Sequence, residues 1–243
     1  MIRLDRAHYI TYSAHQNVPQ SKGSYMWRRN GEHSVLVSPQ GGSILQWQWR
    51  EHFILGPTRV VRMGDRLKTR GETHWCYPNF GTIRALEYAS SQPQHGFLRK
   101  TVMETNYHSV DTKPTSSVRF HHSAHGVADP CNLKTRASMG HHMLRVGLEI
   151  YLTDAGIPIP ILPALHPYFA VPRNGVSVII GDRNPILSTH IPPNDHPADN
   201  MIIERCGSPI FVYLHGIGRV ELKVSKDCTY VVVWSDNSSE YVC

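Results

Sequence analysis

Hydrophobic and polar residues alternate with a period of two along much of the chain. Either alternation or a run of β-branched residues marks residues 34–38, 43–49, 143–152, 176–180, 209–214, 219–224 and 229–234. Alternation of this kind, rich in β-branched residues, predicts β-strands. In 219–224 the apolar side chains share one face and the charged ones share the other, which predicts a strand with one wet face. Residues 229–234 are apolar on both faces, which predicts an inner strand covered on both sides.

Turn signals separate the predicted strands, notably Gly41-Gly42 and residues 216–218. Helical periodicity is rare, and residues 82–90 are the best helix candidate. Residues 113–128, rich in Ser and His, and residues 191–200, rich in Pro, Asn and Asp, are predicted to be loops. Because strand patterns of similar character resume after each loop, we predict one all-β domain of the large sandwich type over residues 1–243.

Composition narrows the class of protein. The chain has 243 residues, of which 40% are hydrophobic and 18% charged, and this balance favours a globular protein over a disordered one. No apolar run approaches the roughly 18 residues that a membrane-spanning helix needs. The first ten residues lack the continuous apolar stretch of a secretory signal. Five cysteines without a CxxC pair fit reduced thiols, so we expect a cytoplasmic protein.

The charge balance favours anionic partners. Lys and Arg exceed Asp and Glu by six, and 16 histidines add positive charge as the pH falls. Phosphorylated small molecules and nucleic acid are both anionic, but the cations are dispersed, with no run longer than Arg28-Arg29. Proteins that bind nucleic acid usually cluster their cations along one element, so we expect a small molecule rather than nucleic acid.

Three segments combine a basic or titratable residue with Gly, Pro and aromatic residues. They are residues 69–81 (TRGETHWCYPNFG), 94–99 (QHGFLR) and 163–169 (PALHPYF). A pyranose offers a C–H face and a rim of hydroxyls, which suit aromatic rings and fork-like polar donors respectively. The three segments together therefore indicate a carbohydrate site.

The order of these motifs resembles the galactose mutarotase-like superfamily, most closely its hexose-6-phosphate 1-epimerase branch. Arg-Gly leading to Pro-x-Phe-Gly comes first, then His-Gly-Phe-x-Arg, then Leu-His-x-Tyr-Phe, from about Gly41 onward. The resemblance implies a β-supersandwich that interconverts the α and β anomers of an aldose, a hexose or hexose 6-phosphate, without a cofactor. In the family's mechanism a glutamate removes the C1 hydroxyl proton while a histidine protonates the ring oxygen, the ring opens, and closure gives the other anomer.

The resemblance also implies roles for individual residues. His166 matches the family's acid, and His95 matches its second active-site histidine. Arg70 and Arg99 match the arginines that hold substrate hydroxyls or, in the sugar-phosphate branch, the phosphate. Asp195 and Asp199 are both candidates for the substrate-orienting aspartate.

One departure concerns the base. In the family a strand ending in Val-Val-Trp is followed by a stretch like Tyr-Val-Cys, and the glutamate comes just after that cysteine. Residues 230–234 and 241–243 match, and the sequence ends at Cys243. We therefore expect either a domain cut short at its C-terminus or a catalytically silent homologue that binds sugar. Glu240 lies a few residues before the position and is not assigned as the base.

Other residues have competing interpretations. Trp75, Phe80 and Trp234 are predicted to be core residues rather than sugar platforms, and Cys76 a buried thiol rather than a nucleophile. A third hypothesis is a metal-dependent β-sandwich enzyme built on the histidine-rich segments, which hold His121, His122, His125, His141 and His142. These segments lack the helix and glutamate of a zinc-protease motif, so solvated loop histidines are the preferred interpretation and no metal is predicted.

Overall fold

The computed structural model describes residues 26–63, 65–81, 93–110, 117–124, 131–140, 143–152, 161–172, 175–181, 187–188, 201–206, 209–234 and 241–243. Regular structure in these ranges is β-strand, apart from one 3-10 helix at Leu98–Lys100. The all-β prediction is therefore confirmed. No helix in the same ranges has the length and apolar composition that bilayer crossing requires.

The strands of the described ranges are numbered in chain order. They are β1 (Met26–Asn30), β2 (His33–Val37), β3 (Ile44–Trp49), β4 (His52–Leu55), β5 (Arg59–Met63), β6 (Arg66–Arg70), β7 (His74–Cys76), β8 (Glu104–Val110), β9 (Ser117–Ala124), β10 (Cys131–Met139), β11 (Leu144–Leu152), β12 (Ala164–His166), β13 (Phe169–Ala170), β14 (Val176–Ile180), β15 (Leu187–Ser188), β16 (Met201–Arg205), β17 (Ile210–Leu214), β18 (Gly218–Leu222), β19 (Tyr230–Trp234) and β20 (Tyr241–Val242).

These strands form antiparallel sheets of three sizes. A six-stranded sheet has the order β1-β2-β3-β4-β13-β20, and two four-stranded sheets have the orders β11-β10-β9-β8 and β15-β14-β17-β18. Three two-stranded ribbons pair β7 with β12, β5 with β6 and β16 with β19. The first four strands of the large sheet are consecutive in the chain, whereas β13 and β20 come from distant parts of it. The segment that carries His166 is thereby drawn to the edge of the N-terminal strands.

The main core is filled by the inward side chains of these sheets. Along β17 the burial alternates strictly, with Ile210, Val212 and Leu214 buried and their neighbours half-buried, as a period of two requires. The cluster combines residues of β2, β3, β4, β10, β13, β14, β17, β19 and β20. Apolar side chains from several sheets meet in one core, which is the arrangement of a β-sandwich.

A second, smaller core lies beside the first. Tyr77, Leu98, Met103 and Leu133 are buried in it, and Trp75 and Phe97 pack against it. Tyr77 directly follows β7, and Leu98 begins the 3-10 helix, so this cluster supports two of the three motif segments, residues 69–81 and 94–99. The core therefore determines where those motifs lie.

Each of the seven segments predicted to be strands contains a strand, whose ends differ from the prediction by at most two residues. The expectation of full cover for 229–234 is wrong at its start, because Tyr230 is 61% exposed. Cover is better at its end, where Val233 is buried and Trp234 exchanges two backbone hydrogen bonds with Cys243, at 2.7 and 2.9 Å. The strand in this segment, β19, pairs with β16 in a two-stranded ribbon, and this ribbon covers only part of the apolar segment.

The loop prediction for 113–128 is wrong, because β9 occupies Ser117–Ala124 within it. β9 lies between β8 and β10, so its backbone groups are hydrogen-bonded on both sides. The Ser and His residues of β9 suggested a loop. However, β9 itself contains neither Gly nor Pro, and a strand that is paired on both sides tolerates polar side chains. The predicted helix at 82–90 and the predicted loop at 191–200 lie outside the described residues.

Gly96 allows two segments of the second core to approach closely. Gly96 forms an isolated parallel bridge with Tyr77, and the N–H of Phe97 donates to the Tyr77 carbonyl at 2.9 Å. The φ of Gly96 is +68°, and a Cβ there would lie 2.0 Å from the Tyr77 carbonyl oxygen. Only glycine fits this contact, because both its backbone conformation and its lack of a side chain are needed.

We predict that Gly96→Ala destabilises the protein far more than Gly31→Ala. Gly31 has a similar φ of +57°, but a Cβ there would meet nothing within 4 Å, so its substitution costs only the left-handed strain of roughly 1 kcal/mol. Gly96→Ala adds a backbone clash and should cost at least about 3 kcal/mol in the free energy of unfolding. Urea unfolding of both variants measures the difference. Equal losses would show that the Tyr77–Gly96 approach is not tightly packed.

Candidate functional site

One pair of short strands brings His166 to His74. β12 pairs with β7 so that His166 lies directly opposite His74. Directly opposed residues of antiparallel strands project from the same face of the ladder. The two imidazole rings accordingly stack, with their centroids 5.1 Å apart and their planes 12° apart.

His95 reaches the same place from the loop before the 3-10 helix. Its φ is +65°, and it is bound to Gly81 twice: the N–H of His95 donates to the Gly81 carbonyl at 3.0 Å, and the N–H of Gly81 donates to His95 Nδ1 at 3.1 Å. A ring nitrogen that accepts a hydrogen bond carries no proton, so neutral His95 holds its proton on Nε2. The His95 and His166 ring centroids are 5.2 Å apart.

Aromatic rings complete the cluster. Tyr168 stacks on His166 with centroids 4.7 Å apart, and Tyr241 meets Tyr168 edge-on at 5.8 Å. Phe80 lies 5.3 Å from His95 and 6.1 Å from His166. The core interpretation of Phe80 is therefore wrong, because its half-buried ring borders both histidines. Trp75 packs against the second core as predicted.

Burial makes the histidines hard to protonate. It lowers the pKa of His74 to about 3, with a further contribution from the charge of His166. It lowers the pKa of His166 to about 4, assisted by the charges of His95 and Arg99. The pKa of His95 is also lowered, by burial and then by Arg99. All three rings are therefore neutral at pH 7, and His166 and His74 stay neutral well below the pKa of about 6.5 at which a free histidine gains its proton.

The two predicted arginines, Arg70 and Arg99, stand in different relations to the histidine cluster. Arg99 is in the 3-10 helix that follows His95, and its positive charge lowers the pKa of all three histidines. Arg70 ends β6, half-buried, and the next residue is Gly71, where a Cβ would lie 2.7 Å from the Tyr241 ring. Arg99 thus acts electrostatically on the histidines, while Arg70 directly precedes the glycine that packs against the buried ring of Tyr241. Asp195, Asp199 and Glu240 lie outside the described residues.

Four buried polar atoms around the cluster have no hydrogen-bond partner within the described part of the chain. They are His74 Nε2, Asn79 Oδ1, Arg99 Nε and His166 Nδ1. Buried polar groups are normally paired, and exceptions concentrate at functional sites. This concentration of unpaired atoms supports the assignment of a polar ligand site here.

Sequence reasoning missed His74 and Tyr168 as members of the site. Both lie inside the quoted motifs, so their presence in a functional segment was visible. The contact of His74 with His166 depends on the β7–β12 register, which alternation in such short strands cannot determine. Sequence reasoning also missed Glu72, whose carbonyl accepts a hydrogen bond from His74 Nδ1 at 2.8 Å.

Neither a cysteine nucleophile nor a histidine metal centre is built from these residues. Cys76 is fully buried, and burial raises the pKa of its thiol to about 12, so it stays protonated. The His74 and His166 rings are almost parallel, so their in-plane lone pairs do not converge on one cation. No group of three His, Cys, Asp or Glu residues in the described ranges is arranged to hold a metal ion. His121 and His122 lie in β9, and His125, His141 and His142 fall outside those ranges.

We predict that the free energy of unfolding falls as the pH falls below about 6.5. Unfolded histidines bind protons near that pH, whereas folded His166 and His74 bind them only near 4 and 3. The unfolded chain therefore holds more protons between these values, and acid favours unfolding by a few kcal/mol. The His166→Gln variant should lose part of this pH dependence and His52→Gln should not. Urea unfolding between pH 4 and 8 checks this, and identical slopes in all three proteins would contradict it.

Comparisons with known proteins agree with this fold. The profile of the aldose 1-epimerase family matches residues 24–196, which is most of the chain. Among solved structures, the fold is similar to an Escherichia coli K12 protein described as "Putative aldose 1-epimerase", with a TM-score of 0.54 and 12% identity over 90% of this chain and 86% of that one. At this identity the likeness concerns the fold alone. A search of curated proteins found no significant match. From the family profile, the chain belongs to the aldose 1-epimerases.

Proposed function

We propose that this protein interconverts the α and β anomers of a hexose or hexose 6-phosphate at the cluster of His95 and His166. The observation that carries the proposal is the 5.2 Å approach of these two rings, drawn together from segments 71 positions apart (166 − 95). Anomer exchange needs groups that can donate and accept protons on one side of a sugar ring. Two adjacent imidazoles bordered by Tyr168 and Phe80 supply such a surface.

The surroundings suit a sugar. The faces of Tyr168 and Phe80 can pack against the C–H face of a pyranose. His166 and Arg99 are half-buried, so the parts of their side chains that reach the surface can exchange hydrogen bonds with hydroxyls. Arg99 can also hold a phosphate group through its guanidinium fork.

The lowered pKa values favour a phosphorylated substrate. A neutral imidazole donates a hydrogen bond readily, but His166 must gain a proton before it can protonate the ring oxygen. Arg99 opposes that gain through its charge. A phosphate paired with Arg99 would offset this charge and raise the pKa of His166 toward the range in which a general acid works. Binding of a phosphorylated substrate would thus favour protonation of His166.

The register of β20 with β13 supports a position for the base glutamate close to His166. Val242 of β20 lies opposite Phe169 of β13, so Cys243 comes alongside Tyr168. If the antiparallel ladder continued, the second residue after Cys243 would lie opposite His166. A glutamate there could accept the C1 hydroxyl proton while His166 acts on the ring oxygen, as the family's mechanism requires.

A second candidate function is sugar binding without turnover. It is favoured by the low pKa of His166, because a ring that is neutral at pH 7 does not carry the proton that a general acid must give. Anomer-exchange rates separate the two functions, since a binding protein leaves the rate at its buffer value.

We predict that the 243-residue chain binds hexose or hexose 6-phosphate but exchanges anomers little above the buffer rate. Adding Ala-Glu after Cys243 should raise the exchange rate by about 10² or more, because a positioned carboxylate takes the C1 hydroxyl proton. Adding Ala-Gln is the matched control and should have no effect. NMR exchange spectroscopy with glucose and glucose 6-phosphate measures the rates. A fully active 243-residue chain would contradict the prediction and make Glu240, then Asp236, the first bases to test.

We predict that His166→Gln, introduced into the Glu-extended chain, lowers the exchange rate by about 10² or more, as expected for the loss of a positioned general acid. His52→Gln removes a histidine at the start of β4 that contacts Glu51 and Trp49 rather than the histidine cluster, and it should leave the rate within a factor of two. Polarimetry of fresh α-glucose and NMR exchange report both. Wild-type rates in the His166 variant would remove this residue from the mechanism.

A further inference from the structure

We propose that His74 is a positioning residue that orients the ring of His166 through a flat stacking contact. The inference rests on the proposed function only in that His166 is taken as the ring that transfers the proton. His74 does not itself touch substrate in this proposal. It acts through the ring that it supports.

The stack is built into the β-ladder. His74 and His166 are cross-strand partners in the β7–β12 ladder. The next two pairs along the ladder, Trp75 with Leu165 and Cys76 with Ala164, have the same register. Centroids 5.1 Å apart with planes 12° apart leave His166 little freedom to turn about its Cβ–Cγ bond without collision. The contact is therefore geometric, and its effect depends on the neighbour being flat.

His74 is itself held in place. Its Nδ1 lies 2.8 Å from the Glu72 carbonyl, which can only accept, so the ring proton is on Nδ1. The residue is only 4% exposed, and its Nε2 is buried without a partner. Rotation of the ring would break the hydrogen bond to Glu72 inside the protein, where an unpaired carbonyl is costly.

The position requires a ring that stays neutral. The ionisable groups around His166 are His74, His95, Tyr168 and Arg99. A proton on His74 would repel one on His166, and burial prevents this by keeping the pKa of His74 near 3. Any proton that enters the cluster at pH 5 to 8 thus goes to His166 or His95.

Two other roles fit His74 less well. As a general base it would need Nε2 within reach of the substrate, but that atom has essentially no exposed surface. As a metal ligand it would need a lone pair that converges with that of His166, and almost parallel rings exclude this. Orientation of His166 remains the role that uses the observed stack.

The experiment compares His74→Phe with His74→Leu in the 243-residue chain. Both variants fill the site and both lose the hydrogen bond to Glu72, but only phenylalanine is flat. NMR correlation spectra of the His166 ring, assigned with His166→Gln, give its ring shifts and its titration. We expect wild-type-like His166 signals in His74→Phe and displaced signals in His74→Leu. In the Glu-extended chain we expect anomer exchange within about threefold of wild type for Phe and a loss of about tenfold or more for Leu.

His33→Leu is the matched control. His33 is also a buried strand histidine, 6% exposed, and it stacks on Trp47 at 5.8 Å far from the site in sequence. This variant should lose comparable stability in urea yet keep the His166 signals and the exchange rate. The proposal is overturned if His74→Leu leaves the His166 signals unchanged, or if Phe and Leu displace them equally. An absence of exchange in every protein would reject the proposed function, while the NMR comparison would still decide the role of His74.

Discussion

The pairing of β7 with β12 is the interaction on which the rest of the site depends. Three residue pairs join two segments that are 90 positions apart, and one of those pairs is His74 with His166. The ladder is short, so its register is secured by what lies around it. Tyr77, directly after β7, is fully buried in the second core and its carbonyl accepts the N–H of Phe97. On the other side, Tyr168 follows β12, and its N–H donates to Thr73 Oγ1 at 3.1 Å. These contacts bind the two strands and the His95 loop into one unit.

Burial is the source of both the order and the unusual chemistry of this unit. Rings that pack at 4.7 to 5.2 Å around His166 exclude water, and exclusion of water disfavours the charged imidazolium. The same burial would make a permanently charged neighbour costly, yet Arg99 adjoins the cluster with an unpaired buried Nε. Three neutral histidines thus lie beside one charged arginine, and the charge of that arginine makes the rings harder still to protonate.

The β-sandwich of this member of the aldose 1-epimerase family determines which structural pieces form the candidate site. A β-sandwich presents its loops and short edge strands on a rigid core, and the site described here is made from such pieces: two ribbons, a 3-10 turn and the ends of β6 and β20. Gly96 and Gly71 permit the tight approaches between them, because any Cβ at these positions would meet backbone or the Tyr241 ring. Core and site are therefore coupled, and substitutions that loosen the second core would be felt at His95.

The sequence by itself determined the all-β class, the longer strands and the segments that hold the site. A period of two over five or more residues is a strong local signal, and His95, Arg99 and His166 stand inside recognisable motifs. Polar strands were not determined this way: β9 looked like a loop because its Ser and His residues become a strand only when β8 and β10 saturate its backbone. The contact of His74 with His166, the place of Phe80 beside the histidines and the low pKa values were decided by tertiary structure alone. Each depends on which distant segments are packed together and how much water they exclude, and neither register nor burial is encoded in any single stretch of the chain.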